Sequence, residues 1–277
     1  YGLVREKPEA IFLMGLPGTG KDTTAMAWVD ALHGGAPGSH IEHMFKLPIM
    51  KAHPDLWKVT GSTTGYMGSD QFPAFLEFLV KHSDGKYKIE FNDKKEKRIV
   101  LNPEYQGTTL PGYFSPDQGI VFGNEFHNWA KDIKDTFLKQ ALEDGYFSIN
   151  NANGGLTEIY VPIRFLIATN DGINLVTARE ANGQRHGKPL TYEQVTTKWE
   201  NAHSDKQRLK NNLQSNASSP NDPTSMAGAL GTSEDLLNRI PLTNLILMRP
   251  LSPEVLKEIA QQKLESLAKK LHVPSEL

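Results

Sequence analysis

Residues 15–22, Gly-Leu-Pro-Gly-Thr-Gly-Lys-Asp, have the composition and spacing of a phosphate-binding turn. They follow the apolar run of residues 10–14 and precede the helical pattern of residues 23–29. Glycines in such a turn allow backbone N–H groups to face a triphosphate, and the helix N-terminus adds positive potential. Lys21 would place an ammonium on the outer phosphates. The sequence therefore predicts a nucleotide phosphate site; the alternative is a glycine-rich turn with a chance lysine.

The residue after this lysine departs from the usual pattern. A Ser or Thr hydroxyl normally stands there and binds Mg²⁺, whereas this chain has Asp22. A carboxylate is a better Mg²⁺ ligand than a hydroxyl, but it brings negative charge close to the phosphates. Thr23 follows, yet one residue along a helix turns the side chain by about 100°. The sequence thus predicts nucleotide binding and leaves normal hydrolysis open.

Two further apolar runs end in polar residues with matching chemistry. Residues 119–123 lead to Asn124 and Glu125, and residues 160–169 lead to Asn170. In P-loop ATPases the first of these strands ends in an Asp that supports Mg²⁺ and often a Glu that polarises the attacking water. Asn124 stands at the Asp position, while Glu125 is present. Asn170 would hold the lytic water or contact the γ-phosphate; alternatively, it caps the next turn.

Residues 61–70 form a glycine-rich loop before the amphipathic run of residues 72–80. Tyr66 lies between glycines in this loop, which is typical of a mobile tip that carries one large apolar group. An equally weighted alternative is a tight turn with the Tyr66 ring packed underneath. The sequence alone does not separate the two.

The composition is that of an ordinary globular protein. Of 277 residues, 38% are hydrophobic and 22% are charged, which allows one or two domains with a substantial core. The net charge of −2 gives no electrostatic reason to expect nucleic acid or an anionic membrane as a partner. The absence of cysteine excludes disulfides and fits a reducing, cytoplasmic compartment. We find no apolar run of about 18 residues. Because the chain starts at Tyr1 without Met, we expect a fragment or a processed product.

Apolar strands that alternate with helical patterns predict an α/β domain with a mostly parallel sheet flanked by helices. We expect a large domain over residues 1–250, with insertions near residues 84–118 and 174–232. The first insertion has the alternation of a β-hairpin, and the second is polar. Residues 251–277 would begin a second, small helical domain.

These pieces, in this order, resemble the Clp-type AAA+ unfoldases, in particular the second ATPase module of the disaggregase branch. No single motif is specific, but together they span residues 8–271. The motifs are GLPGTGKD at 15–22, GYMG at 65–68, VFGNE at 121–125, LEDGYFS at 142–148, IATN at 167–170 and LLNRI at 236–240.

The resemblance implies roles for individual residues. Glu125 would activate water, Asn170 would sense the γ-phosphate, and Arg239 would act as an arginine finger on ATP held by a neighbouring subunit. Tyr66 and Met67 would grip a polypeptide in a central pore. The nucleotide contacts would come from Gly15, Pro17, Gly18, Thr19, Gly20, Lys21, Asp22 and Thr23.

A shared site of this kind implies a homo- or hetero-oligomeric ring, usually a hexamer, with ATP and Mg²⁺ as cofactors. Asp22 and Asn124 would face the same Mg²⁺, so they represent an exchange that keeps one carboxylate in the metal site. The resemblance implies that residues 254–271 are the first helix of the family's small lid domain, and we expect this chain to carry only that part of it.

Three functions compete at this stage. The first is an ATP-driven motor that remodels, unfolds or threads proteins, which the presence of Glu125 and Arg239 favours. The second is a degenerate nucleotide-binding scaffold that assembles with partners without normal hydrolysis, which Asp22 and Asn124 favour. The third is a nucleoside or nucleotide kinase, because the same turn occurs in that group. A kinase also needs an arginine-rich lid and an acceptor pocket, for which the sequence offers no candidates.

Overall fold

The computed structural model describes residues 8–61, 72–105, 119–150, 158–161, 163–170, 191–203 and 234–271. The predicted substrate-gripping residues Tyr66 and Met67 lie outside these ranges. The described strands are β1 (Glu9–Gly15), β2 (Met44–Leu47), β3 (Tyr87–Phe91), β4 (Lys97–Leu101), β5 (Ile120–Gly123), β6 (Phe147–Ser148), β7 (Glu158–Ile159), β8 (Arg164–Thr169) and β9 (Leu245–Met248). The described helices are α1 (Lys21–Leu32), α2 (His40–His43), α3 (His53–Thr60), α4 (Ala74–Lys81), α5 (Lys131–Asp144), α6 (Tyr192–His203), α7 (Glu234–Leu237) and α8 (Pro253–Leu271).

Five of the described strands form one parallel sheet in the order β2-β5-β8-β1-β9. β1 pairs with β8 from Glu9 opposite Arg164, and with β9 from Phe12 opposite Leu245. β5 lies between β2 and β8, and both pairings are parallel. The sheet and its helices confirm the predicted α/β class. All five strands end at the same edge, which is where parallel sheets place their ligands.

Helices cover both faces of this sheet. Side chains alternate along β1, so Phe12 packs in one buried cluster and Leu13 in another. The Leu13 cluster includes Ala25 and Val29 on one face of α1. The Phe12 cluster is larger and is completed by buried residues of α3, α4 and α5. Burial on both faces explains why the strands are continuous apolar runs in the sequence.

The first insertion contains the predicted hairpin, in which β3 pairs antiparallel with β4, Tyr87 opposite Leu101. Residues 41–45, which had the pattern of a possible strand, instead divide between α2 and β2. The apolar run of residues 160–169 begins its sheet pairing at Arg164, and Glu158–Ile159 just before it pairs with Phe147–Ser148 in a separate small sheet.

The C-terminal helix α8 begins where the sequence predicted a capped helix. The Val255 N–H donates to Ser252 Oγ at 3.3 Å, which stabilises the first turn. Apolar side chains of α8, including Leu256 and Leu264, are exposed. The division between a large domain and the start of a lid remains a prediction. Across the described ranges, none of the helices combines the length and apolarity that spanning a membrane demands.

Candidate functional site

Three adjacent strands bring the predicted site residues to one edge of the sheet. These strands are adjacent in the order β5-β8-β1. β5 leads into Asn124 and Glu125, β8 leads into Asn170, and β1 leads into the glycine-rich turn. These residues are far apart in the sequence. The parallel sheet places them together because the carboxyl ends of its strands coincide.

The glycine-rich turn has a backbone that only glycine adopts easily. Gly18 and Gly20 have φ angles of 80° and 81°, in the left-handed region. Among the described residues, an added Cβ at either position meets no atom within 4 Å, so the space beside the turn is open. At Gly15, in contrast, an added Cβ lies 2.8 Å from Thr19 Oγ1. The turn can therefore present its N–H groups and the start of α1 to an anion.

Lys21 is buried beneath this turn. Only 8% of the residue's surface is exposed. The Lys21 Nζ donates to the carbonyl oxygens of Gly15 at 3.0 Å and Leu16 at 2.8 Å. Burial lowers the pKa of the Lys21 ammonium, while the carboxylates of Asp22 and Glu125 act in the opposite direction. An ammonium that is partly desolvated and held by two neutral carbonyls is well suited to bind a phosphate.

Asp22 and Asn124 are in direct contact. Asn124 Nδ2 donates to Asp22 Oδ2 at 3.0 Å, across 102 residues of sequence. The same carboxylate oxygen accepts from Lys46 Nζ at 3.0 Å. Lys46 lies on β2 and had no predicted role. This polar group, Asp22 with Asn124 and Lys46, occupies the side of the turn where the metal was expected.

Glu125 lies just after the end of β5 and has an unusual backbone conformation. Its φ of 50° places a residue with a Cβ in the left-handed region, which costs energy and is common at functional sites. The Glu125 N–H donates to Asn124 Oδ1 at 2.8 Å, and Asn128 Nδ2 donates to Glu125 Oε2 at 2.7 Å. Asn128 therefore orients the carboxylate that was predicted to polarise water.

Asn170 is held by a histidine that the sequence analysis did not identify. The backbone N–H of Asn170 donates to His127 Nδ1 at 3.2 Å, and the Asn170 side-chain amide lies 3.4 Å from His127 Nε2. Burial lowers the pKa of His127, with Glu125 opposing and Lys134 and Lys21 adding to the effect. His127 thus connects the segment that follows β5 to the end of β8. Its position two residues after Glu125 was the only available signal.

Of the comparisons with known proteins, the one with solved structures finds similar chains. No family model matches the chain, and no curated protein matches it. The solved structures it resembles include the Saccharomyces cerevisiae Hsp104:casein complex in its extended conformation, at 14% identity and a TM-score of 0.50, over 95% of this chain. The S. cerevisiae Hsp104-ADP complex is also similar, at 16% identity and a TM-score of 0.48, over 97% of this chain. The present chain spans about a third of the length of these proteins, 33% of the Hsp104 chain in each case.

The α/β fold of this chain is similar to that of the Hsp104 structure with casein. At such low identity the likeness concerns the fold alone. It agrees with the five-stranded parallel sheet and its flanking helices. It leaves the roles of individual residues to be argued from their own geometry.

The remaining predicted residues are Arg239 and other members of the glycine-rich turn. Arg239 follows α7, and its guanidinium contacts two residues of the same chain. Nη1 donates to the Asp235 carbonyl oxygen, and Nη2 forms an ion pair with Glu143 Oε1 at 2.5 Å. Glu143 belongs to α5, so Arg239 joins α7 to α5. Its predicted role concerns a neighbouring subunit and stays a prediction. Within the turn, Pro17 and Thr23 are exposed, and Thr19 is buried with its hydroxyl donated to the Leu16 carbonyl at 2.9 Å.

Proposed function

We propose that this chain is an ATP-hydrolysing AAA+ module that remodels, unfolds or threads proteins in an oligomeric ring. One observation carries the proposal. The buried Lys21 ammonium, the oriented Glu125 carboxylate and the His127-bound Asn170 lie at one edge of a parallel sheet. This is the set of groups that phosphoryl transfer to water requires.

Each residue of this set has a definite task. Lys21 and the turn from Gly15 to Thr23 bind the phosphates of ATP. Glu125 accepts the proton of the attacking water, and Asn128 keeps its carboxylate in one orientation. Asn170 positions that water against the γ-phosphate, with His127 limiting the motion of its amide.

Asp22 is the residue that would bind Mg²⁺. Asn124 would hold Asp22 in place, because Asn124 Oδ1 accepts from the Glu125 N–H and Nδ2 faces Asp22. One carboxylate, together with phosphate oxygens and water, is a ligand set that Mg²⁺ commonly takes. The donor set therefore fits the metal, although Asp22 Oδ2 also binds Lys46. When bound, Mg²⁺ supplies positive charge that neutralises the phosphates.

The ring carries the remaining proposed roles. In a homo- or hetero-hexamer, Arg239 would exchange its partner Glu143 for the γ-phosphate of the adjacent subunit. Tyr66 and Met67 would contact a polypeptide in the pore. We place the protein in the cytoplasm, in keeping with the lack of cysteine.

Phosphate release from the purified oligomer tests the proposal. We expect Glu125→Gln to lower the rate by about 100-fold or more, as loss of a general base does, without weakening nucleotide binding. Glu158→Gln is the matched control, since Glu158 is an exposed carboxylate bonded to Tyr160 on a small hairpin. A wild-type rate no higher than that of Glu125→Gln would reject the motor.

A nucleotide-binding scaffold is the second candidate function. It is favoured by the pairing of Asp22 with Lys46, which places an internal cation beside the expected metal site. In that case the chain binds nucleotide and assembles, but neither the wild type nor Glu125→Gln releases phosphate. The AAA+ fold favours both of these functions over a nucleotide kinase.

A further inference from the structure

Lys46 reaches the nucleotide site from the outermost strand of the sheet on the β5 side. It lies on β2 opposite Phe122 of β5, and its ammonium lies 5.5 Å from the centre of the Phe122 ring. From there Nζ donates to Asp22 Oδ2 in the first turn of α1. The aliphatic stem thus crosses β5, and the charge arrives where the sequence predicted a metal ion.

The orientation of the Asn124 amide is determined by its neighbours. Glu125 donates its N–H to Asn124 Oδ1, so that atom must be the oxygen, and Nδ2 must face Asp22. Asp22 Oδ2 consequently accepts from an amide N–H and from an ammonium. Both contacts are 3.0 Å long.

An ionised carboxylate beside bound phosphates creates a repulsion that a Ser or Thr hydroxyl does not. A divalent cation between the two groups would relieve it. The Lys46 ammonium already relieves part of it, because it carries positive charge on the same carboxylate oxygen. Asp22 and Lys46 side chains are 39% and 49% exposed, so water and ions also reach them and either cation can occupy this place.

We propose that Lys46 is the resident counter-cation of Asp22 and that it substitutes for Mg²⁺ when nucleotide binds, which makes binding nearly independent of divalent cations. This inference rests on the proposed nucleotide site. Lys46 determines how strongly nucleotide binding depends on divalent cations, and it takes no part in the chemistry of hydrolysis. Mg²⁺ and Lys46 are then alternative partners of a single carboxylate.

A fluorescent ADP analogue titrated into the full chain, in Mg²⁺ and in EDTA, tests this. For the wild type we expect the two dissociation constants to agree within about threefold, the scale of an exposed ion pair. For Lys46→Met we expect EDTA to weaken binding about tenfold, the equivalent of one charge-assisted hydrogen bond, and Mg²⁺ to restore it.

Two variants separate this effect from general damage. Lys58→Met removes an ammonium that pairs with Asp55 at a similar distance, 3.1 Å, on α3, and it should behave as the wild type. Lys46→Met combined with Asp22→Thr removes both charges. It should recover binding in EDTA to within about threefold of the wild type, because the repulsion has gone.

The outcomes distinguish the two proposals. Wild-type binding that needs Mg²⁺ as strongly as Lys46→Met does would overturn the role of Lys46 and leave the nucleotide site intact. Failure of the double variant to recover in EDTA would show that Lys46 does not act through Asp22 and would also overturn it. No binding of the analogue in either buffer would overturn the proposed function together with this inference.

Discussion

The two sides of the glycine-rich turn are built in different ways. On the phosphate side, Lys21 is buried and bonded to carbonyls that lie only five and six residues before it. On the metal side, Asp22 is partly exposed and bonded to side chains that lie 24 and 102 residues away. Lys21 and Asp22 are adjacent in one helix, yet Lys21 is held by local contacts and Asp22 by tertiary contacts.

This difference has physical consequences. The local side depends on backbone geometry, so the same short motif reproduces it in any chain. The tertiary side depends on which side chains the sheet brings to Asp22, and those can be exchanged without altering the turn. We therefore expect substitutions on the Lys21 side to abolish binding and substitutions on the Asp22 side to alter its ionic requirements.

The largest effect is expected from Lys21→Met. The substitution removes a charge-assisted hydrogen bond between the Lys21 ammonium and a phosphate oxygen, which is worth about 1.5–3 kcal/mol. With a second such contact to another phosphate oxygen, we expect the affinity for nucleotide to fall about 100-fold. Titration of the full chain with a fluorescent nucleotide measures the loss. Lys58→Met serves as the control because its ammonium pairs with Asp55 away from the turn. Binding within a few-fold of wild type would show that Lys21 does not contact phosphate.

His127→Leu should slow phosphate release without weakening nucleotide binding. The imidazole bonds the backbone of Asn170 and lies against its amide, and we expect its loss to misplace Asn170 and cost about tenfold in rate, within the range for a misplaced catalytic group. His127→Gln keeps a side chain that can accept and donate, and it should recover most of the rate. A rate for His127→Gln as low as that for His127→Leu would argue against a positioning role.

Asp22 and Asn124 should prove energetically coupled. Asp22→Thr leaves the Asn124 amide and Lys46 without their acceptor, whereas Asn124→Asp sets a second carboxylate against Asp22. The double exchange restores one carboxylate and one hydroxyl. We expect a coupling energy of about 1 kcal/mol from thermal unfolding and from Mg²⁺-dependent phosphate release, as for residues in contact. Independent, additive effects would show that the two residues do not share a site.

The smallest effect concerns acid stability. Burial lowers the pKa of His127 in the folded protein below the ordinary imidazole value of 6.5. Between the lowered pKa and 6.5 the unfolded chain binds more protons, so the free energy of unfolding falls as the pH decreases through that interval. His127→Gln should lose less stability over the interval than the wild type, as measured by denaturant unfolding at several pH values. Parallel losses in the two proteins would place the responsible group elsewhere.

The sequence anticipated the parts of the fold that rest on local patterns. The helix after Lys21, the hairpin of β3 and β4, and the Ser252 cap of α8 follow from spacing and turn chemistry. Residues 41–45 could not be assigned from local pattern. That segment contains the junction of α2 and β2, where four residues of helix are too few to show a period.

The candidate site shows the same limit. Glu125 and Asn170 were identified because they end apolar strands, a rule that holds for parallel sheets in general. Lys46 was not, because a lysine on an edge strand carries no motif and its contact with Asp22 depends on the register of β2 against β5. Arg239 was identified by its motif, but its bond to Glu143 depends on how α7 meets α5.

The sequence by itself determined the α/β class, the glycine-rich turn and the polar ends of the strands, because each depends on residues close together in the chain. The tertiary structure alone decided that Asn124 and Lys46 share one oxygen of Asp22, and that His127 holds Asn170. Such contacts form between side chains whose distances depend on strand order and register. Those are properties of the packed sheet and not of any short segment.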